Sequence, residues 1–229
     1  MEFIDLVKSR YSVRDYDSRP IEEEKLAAVL EAGRLAPTAT NAQPQRIFVV
    51  RDEASLKKLR SIARCAFNAP VVLIIGFEET AAWKNPFSPS VRTGDTDAAI
   101  VCTHMMLAAA EQGIGSCWVG WFDPELVKEK FDIPENVTLT ALLPLGYPSD
   151  AARPSDRHTE RKALTDTVTF VSLCPVCGEY TFTGTGDICP VCGWEHDKVQ
   201  EKDPSFAGGA NKKCLNDVRK EYGKDKNNE

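Results

Sequence analysis

No stretch of this sequence is apolar for long enough to span a membrane; the longest such run, Pro70 to Phe77, has the length of one buried strand. Nor is there an excess of positive charge: a net charge of −6 argues against a general affinity for nucleic acid or anionic membrane. The N-terminus, Met1-Glu-Phe-Ile-Asp-Leu, is acidic and amphipathic and lacks the pattern of a secretory signal. There is no internal repeat beyond a doubled Cys-Pro-Val-Cys-Gly. What remains, with 42% apolar and 27% charged residues, is the composition of a soluble globular protein, expected in the cytoplasm.

The eight cysteines are unevenly spread. Cys65, Cys102 and Cys117 sit singly in apolar surroundings, whereas the other five crowd into the last quarter. Such a distribution reads as buried thiols plus a metal site in a reducing compartment, not as a disulfide scaffold.

Apolar periodicity and turn residues predict an irregular alternation of helices and strands. Helices are expected over 3–9, from Ser18 and Pro20 to Pro37, over 53–63, 95–112 and 124–131. Strands are expected over 47–50, 70–77, 116–122 and 137–145, and a last strand or short helix over 163–173. The pattern is α+β, with a mixed sheet flanked by helices over residues 1–170 and a small metal-stabilised, cysteine-rich domain over 173–229. The helix over 95–112 is the expected buried spine, with His104 read as a core histidine and His158 as a solvent residue.

Cys174-Pro-Val-Cys177-Gly and Cys189-Pro-Val-Cys192-Gly form two knuckles separated by eleven residues. A Cys-x-x-Cys turn puts two sulfurs on one side, and the glycine after it permits the left-handed backbone that such a turn needs. Cys174, Cys177, Cys189 and Cys192 thus make a tetrahedral four-sulfur site suited to zinc or a single iron. Two disulfides are the competing reading. His196 and Cys214 are spare potential ligands. Residues 173–229 carry ten acidic and eight basic side chains, which weakens a nucleic-acid role.

Three further clusters precede the knuckles. Arg10-Tyr11-Ser12-Val13-Arg14 should be extended, so that period-two geometry puts two guanidiniums either side of the Ser12 hydroxyl. An anion between them would relieve their repulsion, and guanidinium forks suit phosphate; a solvated surface strip is the plain alternative. Ala36-Pro37-Thr38-Ala39-Thr40-Asn41-Ala42-Gln43-Pro44 is a loop clamped by prolines, whose carboxamides could match the edge of a heterocycle. It could also be an ordinary turn. In Gly113-Ile-Gly115-Ser116-Cys117-Trp118-Val119-Gly120, small residues let backbone amides approach a flat ligand, although Trp118 could equally be core.

In this order, and with Pro144-Leu-Gly146-Tyr147-Pro148 after them, the three clusters resemble the FMN-binding nitroreductase family across residues 2–170. The resemblance implies that Arg10, Ser12 and Arg14, helped by Arg161, hold the FMN phosphate and ribityl chain. It implies that Pro37, Thr38, Asn41 and Gln43 belong to a loop reaching the cofactor of a partner subunit in a homodimer. Trp118, Val119 and Gly120 would then lie against the isoalloxazine. Two departures stand out: Gln45 where many members carry Trp, and Thr38 in place of Ser. Some larger members also carry a Glu-Gly near the third cluster, and this chain has no such Glu.

The tail resembles the cysteine-rich CPCC family. The match runs from Cys174-Pro175 and Cys177-Gly178 through Gly186-Asp187-Ile188-Cys189-Pro190-Val191-Cys192 and Trp194-Glu195 to Gly208-Gly209-Ala210-Asn211 and Leu215-Asn216. Val176 stands where that family has another cysteine. This resemblance favours zinc, while a likeness to rubredoxin keeps iron as the alternative.

The implied activity is ping-pong hydride transfer from NAD(P)H through flavin N5 to a nitroaromatic, a quinone or a similar small acceptor. No histidine lies in the three clusters, so no general acid or base is assigned. The competing readings are reductive dehalogenation, flavin destruction, or a carrier or docking module built on the four-cysteine domain.

Overall fold

The computed structural model describes residues 2–225 and divides into two compact units, Met1–Thr159 and Glu160–Glu229. The boundary falls before the one expected from sequence, so Arg161 and the rest of 160–170 go with the second unit. Residues 226–229 of the expected C-terminal domain, like Met1, lie outside the described residues.

In the first unit the order is α1 (Phe3–Ser9), α2 (Glu23–Arg34), β1 (Gln45–Val50), α3 (Glu53–Ile62), β2 (Val71–Glu78), α4 (Thr93–Glu111), β3 (Gly115–Ser116), α5 (Pro124–Phe131) and β4 (Val137–Gly146). The sheet order is β1-β2-β4-β3, all antiparallel. A parallel bridge between Ser12 and Ser116 extends the β3 edge and makes the sheet mixed.

The apolar run in β2 is buried on both faces. Val72 and Ile74 face one core with Leu56 and Leu59 of α3 and Val127 of α5. Val71, Leu73, Ile75 and Phe77 face the other, with Leu26 and Val29 of α2 and Val101, Cys102 and Met105 of α4. A continuous apolar run is what a strand covered by helices on both sides requires. The β2–β4 register slips between Ile75 and Gly76. A one-residue slip exchanges faces, so Val137 and Leu139 join the first core while Ala141, Leu143 and Leu145 join the second. A Cβ at position 76 would stand 2.2 Å from the Thr138 carbonyl oxygen, so the bulge requires glycine there.

Three local expectations are corrected. Helix α2 begins at Glu23, because an Asp17–Arg19 turn and buried Ile21 hold the chain extended through Ser18 and Pro20. His104 is exposed: the buried stripe of α4 runs through Val101, Cys102 and Met105, and position 104 falls outside it. His158 is half-buried against Tyr11, ring edge to ring face at 6.3 Å, with Nε2 3.2 Å from the Lys8 carbonyl oxygen. Cys65, Cys102 and Cys117 are buried, as expected.

The second unit holds a turn at Leu164–Asp166, the β5 (Ser172–Leu173) and β6 (Thr181–Phe182) pair, α6 (Lys198–Lys202) and α7 (Leu215–Asp225). Its core is Cys174, Phe182, Cys189, Trp194 and Leu215. Two of those five are cysteines of the knuckles, so apolar burial alone is thin for a unit of this size. No helix among the described residues is long and apolar enough to cross a membrane.

Candidate functional site

After α1 the chain enters extended geometry at Arg10, and the Val13 amide donates to the Ser116 carbonyl at 2.9 Å. The first and third clusters are thereby neighbours on the sheet edge. Cys117 registers both: burial raises its thiol pKa, while Arg14, a hydrogen bond with Ser12, and Arg10 pull the other way. Arg14 Nη1 donates to the Ser12 carbonyl at 3.3 Å. Among the described residues, neither Arg10 nor Arg14 is paired with a carboxylate, unlike Arg19, Arg34, Arg46 and Arg51.

Behind this row Tyr16 is buried. Its hydroxyl donates to the Val13 carbonyl at 2.7 Å and approaches that of Pro144 at 3.3 Å, and burial drives its pKa far up. Val119 and Leu142 exchange amide–carbonyl bonds at 3.0 and 2.9 Å, fixing the backbone beside Trp118. Trp118 is 39% exposed, so it is a surface ring and not core. Gly120 packs under it, since a Cβ there would lie 3.2 Å from the ring. A cleft of about 140 Å³ is lined by residues of both clusters, among them Arg10, Val13, Gly115 and Ser116.

The second cluster is held differently. Its ends are tied to neighbouring elements, the Ala36 amide donating to the Gly33 carbonyl and the Glu78 amide to the Pro44 carbonyl at 2.9 Å; between them the Asn41 amide donates to the Thr38 carbonyl, the Gln43 amide to Thr38 Oγ1 at 3.0 Å, and the Ala39 amide to Asp97 Oδ1 of α4 at 2.9 Å. Thr40, Asn41 and Gln43 all have positive φ, near 50–57°. Asn41 and Gln43 are exposed, as is Pro37, while Thr38 is half-buried. Asp97 was not foreseen from sequence; an acid bordering the apolar stretch of an Ala- and Met-rich helix was the available signal. Arg161 is exposed in the second unit, with Nη1 on the Glu160 carbonyl at 2.6 Å.

In that unit the sulfurs of Cys174, Cys177, Cys189 and Cys192 lie within 4.8 Å of one another. Cys174 and Cys192 approach to 3.4 Å, Cys177 and Cys189 to 3.6 Å. A tetrahedral ion with bonds of about 2.3 Å requires sulfur separations of about 3.8 Å, so the set fits one metal. Gly178 and Gly193 have φ of +71° and +74°, the conformation anticipated after each knuckle. Burial opposes ionisation of Cys189, but the amides of Cys192 and Val191 and the neighbouring thiols bring its pKa down to about 7. His196 is not a ligand: its ring stacks on Phe182 at 4.8 Å and Nδ1 lies 2.8 Å from the Gly184 carbonyl. Cys214 is a buried thiol outside the set.

Comparison with known proteins decides the family. The nitroreductase family model matches residues 7–67 and 61–147. The chain belongs to the nitroreductase family. The cysteine-rich CPCC model matches residues 172–225 of this nitroreductase. A crystal structure of a nitroreductase family protein from Clostridium difficile 630 is 37% identical, covering 76% of this chain and all of that one, with a TM-score of 0.70. A Thermus thermophilus protein named NADH dehydrogenase is 31% identical over 179 residues, 65% of this chain and 87% of its own. The fold is shared with an Exiguobacterium sibiricum nitroreductase solved in complex with FMN, at 22% identity, TM-score 0.65, and coverage of 74% and 97%.

Proposed function

We propose that this nitroreductase is an FMN-dependent NAD(P)H oxidoreductase that works as a homodimer and carries a zinc-stabilised C-terminal domain. The observation that carries the reading is the pairing of Val13 with Ser116, which sets a hydroxyl and two arginines, neither with a carboxylate partner among the described residues, near the segment of Trp118–Gly120. That donor set fits FMN: guanidiniums and a hydroxyl for a phosphate, and a surface tryptophan ring with a small glycine beside it for a flat heterocycle. Arg10, Ser12 and Arg14 would hold the phosphate end, and Trp118, Val119 and Gly120 would line the isoalloxazine. When bound, FMN supplies hydride acceptance from NAD(P)H and delivery of electrons to a second small molecule. The protein orients the ring and holds positive charge near it; no side chain is assigned as general acid or base.

The single-chain cleft of about 140 Å³ falls short of the ~300–1,000 Å³ of cofactor pockets, which supports a site completed by a second copy. The exposed apolar face of α1, with Phe3 66% and Ile4 57% exposed, supports such a partner. In that arrangement Pro37, Thr38, Asn41 and Gln43 come from the other subunit. Cys174, Cys177, Cys189 and Cys192 would hold zinc; iron in the same sulfurs would instead favour an electron-carrier role for the domain.

One preparation tests the reading. Purified protein should be yellow with a flavin spectrum, oxidise NADH or NADPH in the presence of a quinone or nitroaromatic, and contain one zinc per chain. Colourless protein that does not take up added FMN would sink the flavin reading.

A further inference from the structure

The flavin reading leaves one buried acid without a role. Asp97, in the second turn of α4, is 2% exposed; Oδ1 accepts the Ala39 amide, and Oδ2 is buried with no partner among the described residues. Burying a carboxylate oxygen bare is unfavourable, so apolar packing does not account for this side chain. What it touches is the most strained segment of the first unit. Of five non-glycine residues with positive φ, three, Thr40, Asn41 and Gln43, lie within four positions of Ala39. Left-handed backbone at such residues persists only where the surroundings over-determine it. Within the loop, Thr38 supplies two closures, its carbonyl to Asn41 and its hydroxyl oxygen to Gln43. Those closures shape the loop but do not fix it to α4. The Asp97–Ala39 bond does.

We propose that Asp97 is a positioning residue for flavin binding: by anchoring Ala39 it holds the strained loop so that the exposed carboxamides of Asn41 and Gln43 face outward in a fixed geometry. This rests on the reading that the loop contacts the cofactor of a second subunit. The two carboxylate oxygens have separable consequences. An asparagine keeps an acceptor for Ala39 and puts its NH₂ where Oδ2 displaces no partner, so it should rescue; alanine should not.

The test uses the full chain, stripped of flavin and compared as wild type, Asp97→Ala, Asp97→Asn and Val101→Ala, the last a fully buried position of the same helix that packs beside Gly33 of α2 and makes no hydrogen bond to the loop through its side chain. Amide hydrogen exchange over residues 39–43 reads the clamp without any cofactor; FMN titration by fluorescence quenching reads its purpose. Asp97→Ala should speed exchange and raise the FMN Kd, each about tenfold, the effect of one lost hydrogen bond. Asp97→Asn should stay near wild type in both. Val101→Ala should lower the melting temperature yet leave both unchanged. If Asp97→Ala does not fold, Ala39→Pro removes the same bond from the loop side, where Thr38 already has the extended backbone that a following proline needs, and should raise the Kd equally. Unchanged loop exchange in Asp97→Ala, or equal shifts in Val101→Ala, overturns the proposal. Wild type that takes up no FMN overturns the flavin reading and the positioning role with it, while the exchange data alone still report whether Asp97 clamps the loop.

Discussion

Val13 and Ser116 are joined by a 2.9 Å amide-to-carbonyl bond, although 103 positions separate them in the chain. That bond sets Arg10, Ser12 and Arg14 on the rim of the segment carrying Trp118. Replacing Arg10 and Arg14 together by alanine should weaken FMN binding about 100- to 10,000-fold, since two charge-assisted contacts of about 1.5–3 kcal/mol each are lost. Equilibrium dialysis against FMN, with far-ultraviolet circular dichroism as a folding check, measures it. Full flavin retention by a folded double variant would refute the phosphate assignment.

The site was legible in the sequence to different depths. The four cysteines needed no context, because two Cys-x-x-Cys-Gly knuckles carry their own geometry, and Gly178 and Gly193 adopt the left-handed backbone that spacing implied. The apolar run of β2 announced a strand covered on both faces. The neighbourhood of Arg14 and Cys117 could not be read from spacing, because a single backbone pairing at the β3 edge creates it. The role of Asp97 was hidden for the same reason: its partner is an amide 58 positions away. His104 misled because an apolar composition around a residue does not say which side of a helix it occupies.

At the β2 bulge, Gly76→Ala should destabilise the first unit by about 1–3 kcal/mol, the usual cost of forcing atoms into a filled space. The added Cβ would meet a backbone oxygen at 2.2 Å, which cannot swing aside as a side-chain tip could. Urea unfolding followed by circular dichroism gives the shift in midpoint. A midpoint equal to wild type would mean that the strand can realign without the slip.

Tyr16→Phe removes the donor to the Val13 carbonyl and leaves that acceptor buried, at a cost of about 1–3 kcal/mol. Because Tyr16 also anchors the back of the Arg10–Arg14 row, flavin affinity should fall alongside the melting temperature. Thermal melts with and without FMN separate the two: the ligand-induced rise in Tm should shrink in the variant.

The metal is expected to carry the fold of the second unit, whose five-residue core includes two of its own ligands. A strong chelator should abolish protection of amides over 174–222 in hydrogen exchange while the flavin absorbance persists. Cys177→Ser should lower metal content and reproduce that loss. Flavin release in step with the metal would show that the two units depend on each other.

Acid should act on this unit by a second route. Backbone amides of Thr183 and Gly184 hold the Asp187 carboxyl below its ordinary range, and the Ala210 amide does the same for Asp197. A depressed folded-state pKa means stabilisation that is present above the unfolded value, near 3.9, and lost as pH falls through the folded one. Asp187→Asn keeps an acceptor oxygen for those amides but removes the titrating charge. The variant should therefore be less stable than wild type at neutral pH and lose less on acidification. Because both proteins keep the same four cysteines, the difference in their exchange protection over 183–197, followed downward from about pH 5, measures this contribution apart from the thiolates. Parallel acid profiles for wild type and Asp187→Asn would show that the carboxylate acts only as a neutral acceptor would.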